Sequence, residues 1–519
     1  MATPSVEELL KRWQKAETRK EHWRSIYEEA YEYCLPQRNL YNNYDSGTPG
    51  QSKMNKIFDS TAINSTQRFA NRLQSSLFPP YRDWCRLVPG NAVPDEQRGA
   101  IQQGLEIYRT RMFAMIQQSN FDLALGEFLL DLAVGTAVML VERGSDLEPL
   151  RFTPVPQYLV AIEEGPHGTV ENVYRRLRMR PENIQRHYPD ADINKELEEA
   201  KLSAPEDDVE LLEVTLFDED RGDYSFCVIH PATKHKLLMR YMRTSPWIVA
   251  RYSKTAGEVY GRGPCLWALP DIKTINKTKE LLLKGASLSI APMFTAADDG
   301  VLNPENINIA PGAIIPVARN GGPQGPSLAP LPRSSDVQLS QLILQDLQIS
   351  IKKMMLDDTL PRDDMSARSA TEIAERTREL AQNLGSAFGR LVTETMVPLV
   401  RRILDVLDES GIITLPLRVN GLEVKIEAVS PLAQAQNLEE VNQVTSFLQV
   451  TQLFGEQGQM SIKSDAIIEY IAERMNIPAN LRTTPEERQQ MQMMQMMQMQ
   501  QMQQMQAQQA APEGAAPAA

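Results

Sequence analysis

The sequence predicts an α+β protein, helical towards both ends with an antiparallel β region between, and three observations carry that prediction. Apolar residues recur at helical spacing over most of residues 5–135 and again from 271 onward. Between 136 and 253 the period shortens to strand-like stretches separated by turn signals. A stretch of about forty residues rich in Gly and Pro then interrupts two helices of similar length, and a loop that long inside a folded protein usually has a function. With 519 residues, 42% hydrophobic and 23% charged, the chain is of ordinary globular composition and too long for one core.

The elements follow in order. Leu9, Trp13, Ala16, Trp23, Ile26, Tyr27 and Ala30 space out an amphipathic helix over residues 5–33, which must stop near Pro36. A second helix runs from about Ser60, its expected cap, through Phe69, Leu73 and Leu77 to Pro79-Pro80. A third helical region covers 95–135. The strand candidates are TAVMLVERG, LRFTPVPQYLVAIEE, TVENVYRRLRMR, VELLEVTLFDED, YSFCVI, HKLLMRYM and WIVARYS, all between Thr136 and Ser253.

Val259–Pro292 is the most informative stretch: a tight glycine turn (YGRGP), then a helix over 271–291 stopped by Pro292. Its polar residues Lys273, Lys277, Glu280, Lys284 and Ser287 share one narrow face, opposite Ile272, Ile275, Leu282, Leu283, Ala286 and Ile290. After the Gly/Pro-rich stretch, whose runs Ala313–Ile315 and Pro316-Val317 are short strand candidates, a second helix over 335–356 carries the stripe Gln341, Gln345, Gln348 and Lys352. At 1.5 Å per residue each helix spans roughly 31–33 Å. The stripes read either as solvated faces or as the polar wall of a channel. An acidic loop, 357–368, follows and reads as a solvent loop on its residues alone. Beyond it lies a long helix with a capping box at Ser369/Glu372, a kink at Pro398 and a stop at Gly411. A hairpin turning at Asn420-Gly421, a helical region over 431–478 and a disordered Met/Gln-rich tail from 489 complete the reading.

Several chemistries find no support. The net charge of −13 argues against a free-standing nucleic-acid binder that neutralises many phosphates, though not against a protein that surrounds DNA without gripping it. Cys34, Cys85, Cys227 and Cys265 form no C-x-x-C pair, so neither a disulfide framework nor a zinc site is expected, and a reducing cytoplasm fits. No P-loop, H-E-x-x-H or G-x-S-x-G motif occurs, and no pair of catalytic carboxylates stands out. The five histidines lack ligand spacing, and His230 and His235, flanking a Pro-containing turn, read as surface residues. No signal peptide or membrane-spanning run is present, which predicts a soluble protein made in the cytoplasm, while the missing motifs and ligand spacings predict no enzymatic activity, cofactor or metal.

Five segments in fixed order then carry a family resemblance: the first helix ending in Cys34-Leu35-Pro36; IFDSTAINSTQRFANRLQSSLFPPYRDWCRLVP; VYGRGPCLWALPDIKTIN; SATEIAER; and IEAVSPLAQAQ. Together the chain from about residue 7 to 485 resembles the head-to-tail connector (portal) proteins of short-tailed, podovirus-type bacteriophages. The resemblance implies the portal fold, with a mainly helical wing (1–270 and 369–430) that holds the β region. It further implies a stem (271–291 and 335–356), a loop-rich clip (292–334), a tunnel loop (357–368) and a helical crown (431–488), with 489–519 as an appended tail. It implies a homo-oligomeric ring, usually of twelve, at one capsid vertex of the virion. Double-stranded DNA passes through that ring in packaging and ejection. The large terminase subunit docks on the clip and is later replaced by tail adaptor and nozzle proteins, while scaffolding and major capsid proteins surround the ring; no membrane is involved. On this reading Lys273, Lys277, Lys284, Gln341, Gln345, Gln348 and Lys352 line the DNA channel. Arg362, Asp363, Asp364 and Arg368 belong to the tunnel loop, and Arg319, Asn320 and Gln324 to the docking surface of the clip. The competing readings are a monomeric or small-oligomer tail or scaffold adaptor and a metal-dependent nuclease.

Overall fold

A computed structural model describes residues 4–38, 54–145, 147–290, 294–296, 328–330, 337–357, 385, 387–414, 423–429 and 431–452, with a few positions between 467 and 497. The chain divides into two compact units, residues 1–433 and 434–519.

The first unit opens with α1, Val6–Cys34, whose start is set by a capping box between Ser5 and Glu8. Helix α2, Thr61–Leu77, begins after Ser60, but the expected side-chain cap is made one residue earlier: the Thr61 amide donates to Asp59 Oδ1 at 2.8 Å. Strand β1, Cys85–Pro89, lies in a stretch with no strand signal. The helical region over 95–135 is two helices, α3 (Asp95–Gln118) and α4 (Phe121–Val134). The break has a cause in Asn120, whose side chain exchanges two hydrogen bonds with the Phe152 backbone (2.7 and 3.0 Å) and so turns the chain against a strand.

Every strand candidate between Thr136 and Ser253 forms a strand. They are β2 (Thr136–Arg143), β3 (Leu150–Val155), β4 (Val160–Glu164), β5 (Val170–Met179), β6 (Val209–Asp218), β7 (Asp223–His230), β8 (His235–Met242) and β9 (Trp247–Arg251). Two short helices, α5 (Pro181–His187) and α6 (Lys195–Ser203), fill the gap between β5 and β6. All pairings are antiparallel, in a three-stranded sheet ordered β3-β2-β9 and a five-stranded sheet ordered β4-β5-β6-β7-β8. The five-stranded sheet is covered on both faces, by Leu9 and Ala16 of α1 on one side and by Ile184, Tyr188 and Leu197 of α5 and α6 on the other. That is why β6 reads VELLEVTLF, nearly unbroken, instead of alternating. His230, at the end of β7, is buried and bonded to Thr233 at 2.7 Å; the turn that follows tucks its ring inward, contrary to the surface position expected.

Helix α7 runs Pro264–Ile290, two turns longer at its start than the sequence predicts, with Pro270 inside it. Strands β10 (Phe294–Ala296) and β11 (Leu328–Pro330) pair antiparallel across the Gly/Pro-rich stretch. The strand candidates at 313–317 lie outside the described residues. Helix α8, Val337–Met354, packs along α7. Farther on, a π turn over Val392–Met396 leads into α9, Val397–Glu409. Pro398 lies at the first turn of α9, so the kink expected there is expressed as a widened turn just before it. Gly411, at φ 71°, ends the helix as expected. Strand β12, Val424–Ala428, pairs with β1, Cys85 opposite Ala428; the first strand and the Asn420-Gly421 turn of the expected hairpin, like the capping box at Ser369, lie outside the described residues.

One large core joins α1–α4, the three-stranded sheet, the first turns of α7, the end of α8, and α9. Helix α10, Pro431–Gln452, is the main described part of the helical region expected over 431–478. In the second unit Tyr470 donates to Glu440 at 2.9 Å.

Candidate functional site

The candidate site is the α7–α8 pair and the point where it is rooted in the first unit. The glycine turn before α7 exists because three backbones meet there. A Cβ at Gly261 would lie 2.5 Å from the Gly135 carbonyl oxygen, and one at Gly263 2.2 Å from that of Ala133. The Gly261 amide donates to Thr136 Oγ1 (2.8 Å), its carbonyl accepts from the Tyr27 hydroxyl (2.5 Å), and Arg262 and Ser253 exchange backbone hydrogen bonds (2.8 and 3.2 Å). Only glycine fits such approaches. Behind the turn sits Arg251, fully buried, holding Glu394 of the π turn (2.7 Å), Glu164 of β4 and the carbonyls of Val259 and Gly168. The direction of α7 is thus set by β2, β9, α1 and the π turn together.

Polar side chains then tie the pair to α2 and the segment before it, and tie its two helices to each other. Asn276 Oδ1 accepts the amides of Phe58 (2.6 Å) and Asp59 (3.1 Å), while its Nδ2 donates to the Lys56 carbonyl (2.5 Å). Asp59, buried, accepts from Lys279 of α7 (3.0 Å) and Gln348 of α8 (3.2 Å) besides capping α2. Burial opposes its charge, but the hydrogen bonds from Thr61 and the Lys279 pair prevail and hold the carboxyl below the usual range. Ser350 of α8 donates to Asp271 of α7 at 2.9 Å. Asp357, expected in a solvent loop, is buried instead, because α2 presents Ser65 (2.9 Å), Arg68 (3.5 Å) and Arg72 (3.2 Å) to its carboxylate.

The far half of the pair is different. Leu281 and Leu342 are 57% and 64% exposed, and Leu283 and Ile343 are exposed as well. Of the apolar face read from the sequence, Ile272 and Ile275 are buried at the root, whereas Leu283 and Ala286 face outward uncovered.

Comparison with known proteins decides the family. The model of the bacteriophage head to tail connecting protein family matches residues 6–482. The chain belongs to that family. A probable portal protein of Bordetella phage BPP-1 is 24% identical over 506 residues, covering 90% of this chain and 85% of its own. The portal protein of Enterobacteria phage T3 is 22% identical over 432 residues, covering 79% and 75%. A chain from the virion of a native gene transfer agent particle aligns over 78% of this chain and 92% of its own, with 14% identity and a TM-score of 0.33, too loose a superposition to bear on the fold.

Within this connector the predicted stripe residues fall in two groups. Lys273, near the root, reaches across to Glu29 of α1 (3.2 Å). Lys277 and Lys284 lie farther out, mostly exposed, and both pair with Glu280 between them (2.9 and 2.6 Å), leaving a net charge of +1 for the three. Those two lysines hold the Glu280 carboxyl below the usual range. On α8, Gln341 and Gln345 are exposed, Gln348 is committed to Asp59, and Lys352 is half-buried. Arg319, Asn320 and Gln324, and Arg362, Asp363, Asp364 and Arg368, lie outside the described residues. Among the described residues no His, Cys, Asp or Glu cluster fits a metal, all four cysteines are free and buried, and no helix is long and apolar enough to cross a membrane. Sequence reasoning missed Asp59, Asn276, Arg251 and Arg72. Asp59 and Arg72 stand in IFDSTAINSTQRFANRLQSS and Asn276 in IKTIN, segments that carried the resemblance, and their presence there was the signal available.

Proposed function

We propose that this chain is the portal of a tailed phage, forming a ring at one capsid vertex of the virion through which double-stranded DNA is packaged and ejected. The observation that carries the proposal is the family match, which spans residues 6–482 and is joined by relatives named portal protein. In this reading α7 and α8 are the stem, the Gly/Pro-rich stretch the clip, 357–368 the tunnel loop and the β-rich body the wing, with the crown over 431–488. The exposed apolar residues of the outer half of the pair support a neighbour in the ring, since a surface of that kind is normally covered. The closed ring, usually of twelve in this family, gives each copy the same two neighbours. Its partners are the large terminase subunit and then the tail adaptor and nozzle at the clip, with scaffolding and major capsid proteins around the ring.

The channel face is tested by changing Lys273, Lys277 and Lys284 to Gln, which ranks beside Lys in helix propensity. Rings are expected to assemble, and DNA retention to fall with a shallower salt dependence than in the parent. Normal packaging with an unchanged salt response removes these lysines from the DNA path. Deleting 319–326 tests the clip: the ring is expected to form but bind the terminase and tail adaptor more weakly, and unchanged affinity for both refutes that assignment.

A further inference from the structure

Helix α8 ends in an unusual way. Leu356 has φ 55°, a left-handed conformation that glycine or asparagine normally supplies at this position. The ending is otherwise regular, with the Asp357 amide donating to the Lys352 carbonyl (2.7 Å) and the Leu356 amide to that of Lys353 (3.0 Å). No glycine or asparagine stands here to favour the stop, and the next proline, Pro361, bears on α8 only through the Asp357 carbonyl four residues before it. The cause lies in α2. Arg72 donates to the carbonyls of Leu356 and of Asp357 (2.9 Å) and pairs with the Asp357 carboxylate (3.2 Å). Ser65 (2.9 Å) and Arg68 (3.5 Å) reach the other carboxylate oxygen, and the Asp357 side chain is 1% exposed. In a continuing helix the Asp357 carbonyl would face Pro361, which has no N–H to offer. The guanidinium takes that place.

We infer that Arg72 and Asp357 are positioning residues: they hold Leu356 left-handed and so fix the direction in which the chain leaves α8 at Asp357. The functional weight of this lock rests on the channel reading above, in which the departing segment meets DNA. A local strain held by a buried carboxylate and the arginines that another element brings to it is a device for aiming a segment, and neither half of it can be exchanged without freeing the helix end.

The test uses the full-length assembled protein and the paired variant R72M/D357N, which removes both charges at once so that neither is left buried alone. Hydrogen exchange at the Leu356 and Asp357 amides is expected to quicken at least about tenfold while the amides of α2 keep their protection. DNA packaged per assembled ring is expected to fall at least about threefold, the loss of a positioned contact. Adding Leu356→Gly, which adopts the left-handed conformation without strain, should restore both readouts. A general loss of folding would not be rescued in this way. Unchanged exchange in R72M/D357N, unchanged packaging despite faster exchange, or failure of Leu356→Gly to rescue would each overturn the inference. If R72M/D357N does not assemble, D357N alone is measured in the same way, and the same outcomes support or overturn the lock. Intact parent rings that package no DNA would instead overturn the channel reading and leave the exchange result to decide the lock.

Discussion

The two halves of the α7–α8 pair differ in who completes them. At the root, Asn276 takes the backbone of 56–59, Asp59 joins α2, α7 and α8, and Asp357 is enclosed by α2, so these polar groups leave water for partners in the same chain. In the outer half, Glu280 and its two lysines are satisfied on the surface, while Leu281, Leu283, Leu342 and Ile343 stay exposed to solvent in the single chain. A surface finished by its own chain and one left unfinished are stabilised by different things. The root belongs to folding, and the outer half belongs to assembly.

The largest effect should come from breaking the root. Asn276→Ala strips partners from two amides and a carbonyl, at about 1–3 kcal/mol for each group left buried without one, so a loss of about 3 kcal/mol is expected in the denaturant unfolding of the isolated chain. A loss under about 0.5 kcal/mol would mean that the root is not held as described. The outer half should behave in the opposite way. Leu281→Ser with Leu342→Ser is expected to leave the stability of the chain within about 0.5 kcal/mol of the parent, as surface changes do, yet to abolish ring formation in sedimentation. Equal loss in both assays would erase the distinction.

Most of the fold was legible because its signals are local. The eight strands from Thr136 to Arg251 announce themselves by β-branched and aromatic residues between turns, and α1, α2 and α9 by apolar spacing and by stops at Pro36, Pro79 and Gly411. What escaped depends on distant partners. Strand β1 is five residues long and becomes a strand because β12, more than three hundred residues away, lies beside it. Asp357 reads as a loop acid until Arg72 is brought against it, and Lys273 reads as one of a stripe until α1 supplies Glu29. Periodicity groups the three lysines on one face, but it carries no information on which of them are already paired.

A smaller effect separates a carboxylate held by hydrogen bonds from a half-buried one facing a like charge. Asp59 is paired, and its carboxyl is held low. Glu142 on β2 is pushed up to about 7, by burial first and then by the charge of Glu213. A carboxyl raised in the folded state binds more protons there than in the unfolded chain, so its contribution is complete below the ordinary value near 4.5 and is lost as pH rises towards 7. Glu142→Gln should therefore flatten the stability profile between about pH 4.5 and 7 while leaving it unchanged in slope above. A parent profile with no slope in that window would contradict the upward shift of this carboxyl. The smallest change is expected from Lys273→Gln, whose half-exposed pair with Glu29 contributes on the order of 0.5 kcal/mol or less to unfolding. A loss of about 2 kcal/mol or more would mean that this exposed pair holds the root as firmly as the buried polar groups do.

The direct test of the account is the mass and shape of the purified protein in solution. An outer half of the helix pair that is completed by neighbours predicts closed rings with a central hole, many times the 58.5 kDa of one chain, seen by native mass spectrometry and by negative-stain imaging at micromolar concentration. A stable 58.5 kDa monomer under those conditions would contradict it.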